Sequence, residues 1–367
     1  MPTIRFSVLI VAGGILSCLI LASTVAISEP PAKIKIGISV PLTGEAATYG
    51  TDMKNAFEFA NRELAGGRYE LLFEDDKCSG KDAVTAARKF VDIEKVKYVL
   101  GFGCSGALLS AAPIFEKAQV LVIAAGTSAA DISKSGDYIF RTCPSDDGAA
   151  LSLASWLKGK VRKLAIVSAE TSFAQGLHKA FTKEVEKLNI TTVSESFLPD
   201  SNDFRSILVK LRASQPDGLV MITQAEPSTI ALVNQVNQLG WKVPLYNFYH
   251  ASSSTFQQAV GNSAGDIVFS DAPTGEESLD PQGLVLFKKF LLEYGQPQSM
   301  DFYSASAIAS FAALHETIQS GQEPRQYLYT HTFSGIFKPF SFDANGDALG
   351  FGQVIRVLKN GKVESLN

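Results

Sequence analysis

After Pro31, short apolar runs alternate along the chain with longer stretches whose apolar residues recur at helical spacing. Residues 34–40 are rich in isoleucine and valine and predict a β-strand, whereas residues 49–64 place apolar side chains on one face of a predicted helix. Further strands are predicted at residues 69–75, 97–101 and 120–124, with helices at 82–91 and between the last two strands. This alternation is typical of a parallel sheet covered by helices on both faces.

The same pattern begins again near residue 163 and indicates a second unit of the same kind. Strands are predicted at residues 163–168, 191–197 and 218–222, and helices at 173–188, 204–213 and 229–239. The last third is less regular, with a strand predicted at 267–270, helices at 284–294 and 303–318, and a hairpin of 354–358 with 363–364. The predicted fold class is α/β, with two doubly wound, Rossmann-like lobes.

The N-terminal segment has the pattern of a secretory signal, because Arg5 is followed by an apolar run over residues 6–27. Small residues fit the −3 and −1 positions of a cleavage site after Ala26, so we predict a signal peptide over residues 1–26 and a periplasmic protein. The apolar run is also long enough for an uncleaved membrane anchor, which is the alternative. Lipidation at Cys18 is disfavoured because the residues before it form a poor lipobox.

Composition narrows the class of protein further. The 367 residues are 46% hydrophobic and 19% charged, with a formal net charge of −4, and the length favours two domains. The chain lacks the basic patch that a nucleic-acid binder would show.

An exported protein meets conditions in which disulfides form. Cys18 leaves with the signal peptide, so the three remaining cysteines allow one pair and one free thiol.

Two glycine- and hydroxyl-rich segments follow predicted strands and are candidates for binding. Residues 101–106 match G-x-G-x-x-G, but the motif follows the third strand and Gly126 stands where a dinucleotide fold has an acid, so a nucleotide is disfavoured. Small residues at a helix start instead let backbone N–H groups approach an anion such as a carboxylate. Thr127 and Ser128 follow the next strand, where open α/β sheets bind ligands. The alternative is a Ser/Thr-rich turn that satisfies its own backbone.

No constellation of catalytic residues emerges from the sequence. The four histidines lack metal-ligand spacing, and no serine lies in G-x-S-x-G. Glu45, Asp75 and Asp76 could act as acids, but a turn and a strand end explain them equally well. We therefore predict that the protein is no enzyme and uses no metal or other cofactor.

Several segments together resemble the type I periplasmic binding proteins of branched-chain amino-acid ABC transporters, the Leu/Ile/Val-binding family. The resemblance covers essentially the whole chain after Ala32. Its motifs are residues 36–44 (IGISVPLTG), Tyr49-Gly50, 75–78 (DDKC), 103–105 (GCS) and 140–146 (FRTCPSD). Each motif alone is modest, and their order and spacing together are fairly specific.

The resemblance implies a disulfide between Cys78 and Cys104, with Cys143 left free. It also implies a fold of two lobes joined by three crossovers, which we place near residues 146, 272 and 352. The predicted N-terminal lobe then comprises residues 33–146 and 273–351, and the predicted C-terminal lobe comprises residues 147–272 and 352–367. A ligand binds between the lobes of such proteins, which close over it by a hinge motion.

The resemblance also assigns candidate ligand-binding residues. Ser105, Gly126 and Ser128, with Thr127 on the same loop, match positions that hold the carboxylate and ammonium of the ligand. Aromatic side chains of the cleft are expected at Tyr49, Phe173 and Tyr303. Glu226 stands where the family often has tyrosine, and Tyr249 falls near the family's ammonium-binding acid.

The expected function is delivery of an amino acid or a related small carboxylate to an ABC permease in the inner membrane by a monomeric binding protein. The tyrosine at position 249 departs from the family, because a buried ammonium needs a charge partner. Glu226 could supply that charge if it faces the cleft. Otherwise the ligand is an aromatic or aliphatic carboxylate without an ammonium. A further alternative is a sensor of an amide-type ligand on the same fold.

Overall fold

The computed structural model describes residues 1–3, 33–261, 265–272 and 274–366. The predicted signal peptide falls almost entirely outside these residues. The compact unit comprises residues 33–367. Within the described part of the chain, no helix combines the length and the apolarity that crossing a membrane requires.

The first sheet is parallel and built from the first five strands. These are β1 (Ile34–Val40), β2 (Tyr69–Asp75), β3 (Tyr98–Gly101), β4 (Leu121–Ala124) and β5 (Ile139–Arg141), in the order β2-β1-β3-β4-β5. Its helices are α1 (Ala47–Ala65), α2 (Gly80–Arg88), which continues as a π-helical turn over Lys89–Ile93, and α3 (Ser105–Ala118). A Cβ atom at Gly50 would lie 1.9 Å from the carbonyl oxygen of Pro41, so only glycine lets α1 begin this close to the end of β1.

The chain then passes to a second sheet. Its first elements are α4 (Asp146–Leu157), β6 (Lys163–Ala169), α5 (Ser172–Glu186), β7 (Thr191–Phe197), α6 (Arg205–Ala213), β8 (Gly218–Ile222), α7 (Glu226–Gln238), β9 (Leu245–Phe248), α8 (Ser254–Val260) and β10 (Ile267–Asp271). The strands β8 and β9 are buried along their whole length, as expected for the centre of a parallel sheet with covered faces.

After β10 the chain returns to the first sheet. It forms α9 (Pro281–Tyr294), α10 (Asp301–Ser320), α11 (Pro324–Thr330) and a small sheet of β11 (Thr332–Phe333), β12 (Phe340–Phe342) and β13 (Ala348–Leu349). The ring of Phe290 on α9 packs edge-on against Phe59 of α1, with the ring centroids 5.4 Å apart. These late elements therefore complete the lobe that residues 34–141 begin.

A third passage adds β14 (Val354–Lys359) and β15 (Lys362–Ser365) to the second sheet, as the predicted hairpin. The sheet order is β15-β14-β10-β9-β8-β6-β7, with β14 antiparallel to β10. The predicted fold class, two doubly wound lobes with three crossovers, is confirmed. We call them the first and second lobes; their exact boundaries stay a prediction.

The predicted disulfide is confirmed. Cys78 after β2 is bonded to Cys104 at the start of α3, with 5.3 Å between the two Cα atoms. Closing a loop of 26 residues stabilises a fold by roughly 3.5 kcal/mol in the chain-entropy account. Cys143 is a free, buried cysteine.

Candidate functional site

A narrow cavity of about 30 Å³ lies between the two lobes. The first lobe contributes Gly103, Ser105, Gly126, Ser128, Cys143, Met300, Phe302 and Tyr303 to its wall, and the second lobe contributes Phe173, Gln224, Tyr249 and His250, with Ala272 at the second crossover. Most of these residues follow the carboxyl ends of strands, where parallel sheets bind ligands.

The polar side of the cavity is formed by the loops after β3 and β4. Ser105 is the first residue of α3, at the end of a helix where the leading N–H groups are available to a partner outside it. Its hydroxyl accepts a hydrogen bond of 3.2 Å from the backbone N–H of Ala129. Ser105 therefore ties the start of α3 to the loop that carries Gly126 and Ser128. Hydroxyl and amide groups held in this way suit a carboxylate.

Arg141 fixes the loop after β4 from behind. Its guanidinium is fully buried and donates to the backbone carbonyls of Ala129 at 2.8 Å and Thr127 at 3.4 Å. The same group donates to both carboxylate oxygens of Asp347, at 2.7 and 3.0 Å, and to the hydroxyl of Ser133 at 3.0 Å. One side chain thus links the binding loop to the segment just before β13.

Aromatic and thioether side chains form the other walls. Tyr303 stacks on Tyr49, with the ring centroids 4.7 Å apart and the planes at 24°. Phe173 lies beside Tyr249 at a centroid distance of 6.5 Å, and Phe302 and Met300 complete the apolar surface. Such a surface accommodates the apolar portion of a small ligand while the polar groups fix its orientation.

Tyr249 has a strained backbone, with φ 64° and ψ −55°. A residue other than glycine costs about 1–3 kcal/mol in such a region and persists where the surroundings hold it, often at functional sites. Here the Tyr249 amide donates to the carbonyl of Ser270 at 2.9 Å. The phenol hydroxyl donates to Oδ1 of Asp146 at 3.0 Å. The strained backbone of Tyr249 therefore occurs where two hydrogen bonds fix the orientation of the residue and its side chain.

Glu226 lies at the first position of α7 and bridges the lobes. Its Oε2 accepts a hydrogen bond of 2.6 Å from the hydroxyl of Tyr49 on α1, and the residue is only 2% exposed. Its Oε1 has no hydrogen-bond partner among the described residues. Burial raises the pKa of the Glu226 carboxyl to about 7, while the bond from Tyr49 acts in the opposite direction. The closed arrangement therefore favours a protonated Glu226 in the absence of a cation.

Replacing Glu226 with glutamine is expected to change how stability depends on pH. Because the pKa is about 7 in the fold and 4.5 without it, this carboxyl stabilises the fold below about pH 4.5, and that contribution is lost as the pH rises through 7. The amide keeps an acceptor for Tyr49 and does not ionise. In urea unfolding without ligand, Glu226→Gln should be closest to the wild type at pH 5, and its advantage over the wild type should grow by about 2–3 kcal/mol by pH 8.

The exposed acid Glu276 provides the control. Glu276→Gln removes the same kind of charge from the surface and should leave the pH profile parallel to that of the wild type. Parallel profiles for wild type and Glu226→Gln would contradict the assignment of a raised pKa to Glu226.

His250 contributes to the cavity as a neutral ring. Its Nδ1 lies 3.1 Å from the hydroxyl of Thr223 and 3.0 Å from that of Thr229. Burial lowers the pKa of His250 to about 4, so the ring carries no charge at neutral pH. Cys143 is also protonated, because burial raises the pKa of its thiol above the usual range.

The structure brings six of the nine sequence-predicted binding residues onto the cavity wall: Ser105, Gly126, Ser128, Phe173, Tyr249 and Tyr303. Tyr49, Thr127 and Glu226 lie directly behind it, Tyr49 against Tyr303 and Thr127 between two lining residues. Gly103 lies in the candidate segment 101–106, and sequence reasoning missed six other lining residues: Cys143, Gln224, His250, Ala272, Met300 and Phe302. Gln224 follows the strand predicted at residues 218–222 and could have been found by that signal.

The described residues include no group of three or more His, Cys, Asp or Glu side chains placed to hold a metal ion. A nucleophile next to a general base is likewise not found on the cavity wall, since its polar groups are hydroxyls, one amide, one neutral imidazole and a protonated thiol. The arrangement is suited to binding a small molecule.

Several proteins that are similar to this chain in sequence are named as binding proteins for amino acids. An amino acid binding protein of Pseudomonas aeruginosa is 24% identical over 332 residues, which cover 86% of this chain and 87% of that protein. A Leu/Ile/Val-binding protein homolog of Brucella abortus is 26% identical over 330 residues, covering 86% and 88%. The sequence relationship thus extends over nearly the whole length of both chains.

Solved structures share the fold. A leucine binding protein from Thermotoga maritima superposes with a TM-score of 0.84 at 20% identity, covering 91% of this chain and 98% of that one. A solute binding protein from Rhodopseudomonas palustris in complex with 4-hydroxybenzoate has a TM-score of 0.82 at 18% identity, covering 92% and 96%. The family described as periplasmic binding protein matches residues 33–353. The chain therefore belongs to the periplasmic binding protein family.

Proposed function

We propose that this protein binds an amino acid or a related small carboxylate between its lobes and delivers it to an ABC permease of the inner membrane. Membership of the periplasmic binding protein family implies an extracytoplasmic binding protein and not an enzyme. The names of the relatives from Pseudomonas aeruginosa and Brucella abortus support an amino-acid ligand.

The observation that carries the proposal is the division of the cavity into a polar and an aromatic side. Ser105, Gly126 and Ser128 present hydroxyl and backbone groups at the start of α3 and the end of β4. Charge-assisted hydrogen bonds from such groups are the stronger kind and would hold the carboxylate. Phe173 and Tyr303 would then enclose the apolar part of the ligand from opposite lobes.

Two hydrogen bonds next to the cavity support closure as part of binding. Tyr49 of the first lobe donates to Glu226 of the second, and Tyr249 of the second lobe donates to Asp146 at the first crossover. We propose that the lobes open by breaking such contacts and that the ligand favours the closed arrangement by touching both lobes.

Thermal-shift screening of residues 27–367 tests the ligand class. The panel pairs amino acids with their deaminated acids and adds benzoate-type acids. A ligand at about 100 times its Kd should stabilise the protein by roughly 2.7 kcal/mol. Ligands that close the cleft should also slow alkylation of buried Cys143, which lines the cavity. A panel that shifts neither the melting temperature nor the alkylation rate would overturn the proposal.

A ligand without an ammonium is the second candidate, and the aromatic lining favours it. Phe173, Tyr249, Phe302 and Tyr303 could sandwich a ring. The structural relative from Rhodopseudomonas palustris was solved with 4-hydroxybenzoate. Selective stabilisation by benzoate-type acids in the same panel would support this candidate over an amino acid.

A further inference from the structure

Asp146 is a buried carboxylate next to the cavity that sequence reasoning did not single out as a binding residue. It is the first residue of α4, at the crossover from the first to the second lobe, and it is 0% exposed. Its amide donates to the carbonyl of Ser128 at 2.8 Å, and its Oδ1 accepts from the hydroxyl of Tyr249 at 3.0 Å. Both of these neighbours line the cavity.

The hydrogen bond from Tyr249 uses only one of the two carboxylate oxygens of Asp146. Oδ2 of Asp146 is buried without a hydrogen-bond partner in the part of the chain that the structure describes. Arg141 lies nearby in sequence, but its guanidinium is engaged by Asp347, Ser133 and the loop carbonyls. A buried acceptor without a donor costs about 1–3 kcal/mol, and more when it is charged. Ionisation of Asp146 is therefore unfavourable unless a further donor or cation reaches Oδ2.

The protein offers no cation to balance this charge from the described cavity wall. None of the residues that line it is lysine or arginine, and His250 is neutral. A positive group of the ligand would therefore add the charge partner that the cavity wall does not supply to Asp146.

We propose that Asp146, held by Tyr249 and adjoining Ser128, is the counter-charge that makes the site select ligands with an amino group. This inference rests on the proposed binding function and decides between its two ligand classes. Asp146 acts as a specificity-determining residue. An ammonium near Ser128 and Tyr249 would pair with the negative charge of Asp146, whereas a deaminated acid would leave that charge unbalanced.

The charge of Asp146 predicts a pH dependence of binding. Burial raises its pKa to about 7, against smaller opposing effects of Ser128, Tyr249 and Arg141. The other ionisable groups that face it are Asp147 on its own helix, Cys143, and Tyr303 of α10. Below pH 7 an amine must displace a proton from Asp146, so its affinity should fall by up to tenfold per pH unit.

The experiment compares L-leucine with 4-methylpentanoate, which has the same skeleton without the amino group, by calorimetric titration of wild type and Asp146→Asn. Asparagine keeps an acceptor for Tyr249 and removes the charge. We expect Asp146→Asn to bind L-leucine at least tenfold more weakly at pH 8, by analogy with charge-pair losses at interfaces. The variant should bind 4-methylpentanoate at least as tightly as the wild type, because it no longer has an unbalanced charge. The fall in L-leucine affinity from pH 8 to pH 6 should be smaller in the variant than in the wild type.

Asp147→Asn is the matched control, because Asp147 is the adjacent acid in the same helical turn and is exposed. It should leave both affinities unchanged. If Asp146→Asn does not fold, Tyr249→Phe tests the same link, since it removes the hydrogen bond from the Tyr249 hydroxyl to Oδ1 while keeping the charge, and it should change the ratio of the two affinities.

Four outcomes would overturn the inference. Equal weakening of both ligands in Asp146→Asn indicates a structural role. An unchanged affinity for L-leucine in Asp146→Asn shows that Asp146 does not sense the amino group. Binding of 4-methylpentanoate but not of L-leucine by the wild type refutes selection of amines while leaving the proposed binding function intact. Failure of every ligand in the screening panel refutes the binding function and this inference together.

Discussion

Replacing Arg141 with methionine is expected to lower the free energy of unfolding by about 3–5 kcal/mol, as when one partner of a buried ion pair is removed. Arg141 is 0% exposed, and the side chain of Asp347 is 19% exposed. The methionine would leave that carboxylate without its partner and the carbonyls of Thr127 and Ala129 without donors. The same loop carries Gly126 and Ser128, so ligand affinity should fall as well.

Urea unfolding at pH 7 measures this effect. Lys134→Met is the matched control, since Lys134 pairs with Asp131 at 3.0 Å on the surface, with side-chain exposures of 79% and 72%. Such exposed pairs contribute about 0–1 kcal/mol. Arg141→Lys keeps the charge but cannot donate to the same set of acceptors, so it should recover only part of the loss. A cost for Arg141→Met no larger than that of Lys134→Met would show that the pair is not what holds the loop.

The strand–helix alternation predicted most strands of both sheets, because a buried parallel strand needs a continuous apolar run and its helix needs a single apolar face. It did not predict β5 or β9. The run of residues 34–40 became β1 with the predicted bounds, and the helix predicted at 49–64 became α1 with one or two residues added at each end. Helix starts differ most at α7 and α9, which begin at Glu226 and Pro281, three residues before the predicted starts at 229 and 284, since a proline is compatible with the first turn of a helix.

Short elements were less predictable. β5 has three residues, and β11 and β13 have two each, so no periodicity can be read from them. Their pairing depends on contacts between distant segments, such as the one between Arg141 and Asp347. The small sheet of β11, β12 and β13 was therefore not predicted.

The residues of the candidate site likewise divide into those that the sequence predicted and those that it did not. Ser105, Gly126 and Ser128 were found because they follow predicted strands, and Tyr49 and Phe173 because motifs elsewhere resemble a known family. Met300 and Phe302 reach the cavity only because the chain returns to the first lobe after β10, which no local pattern encodes. The contact of Tyr249 with Asp146 spans 103 positions and depends on a positive φ that a tyrosine rarely adopts.

Replacing Gly126 with alanine is expected to weaken ligand binding by about 30-fold or more, equivalent to a loss of about 2 kcal/mol at a central contact. A Cβ atom there would lie 2.4 Å from Cε1 of Tyr303 and 3.1 Å from Cα of Gly103. The ring of Tyr303 cannot turn aside freely, because it stacks on Tyr49. Moving it would disturb the hydrogen bond between Tyr49 and Glu226 across the lobes.

Calorimetric titration with the ligand identified by screening measures this effect, and urea unfolding measures the stability. Overpacking of this kind costs about 1–3 kcal/mol, so the variant should fold and still bind poorly. Gly176→Ala is the control, because a Cβ atom at Gly176 in α5 meets nothing within 4 Å. That variant should bind normally and gain up to about 1 kcal/mol of stability from helix propensity. Normal binding by Gly126→Ala would mean that the Tyr303 ring can move away from the added methyl group. Its stacking on Tyr49 would then not determine the geometry of the closed site.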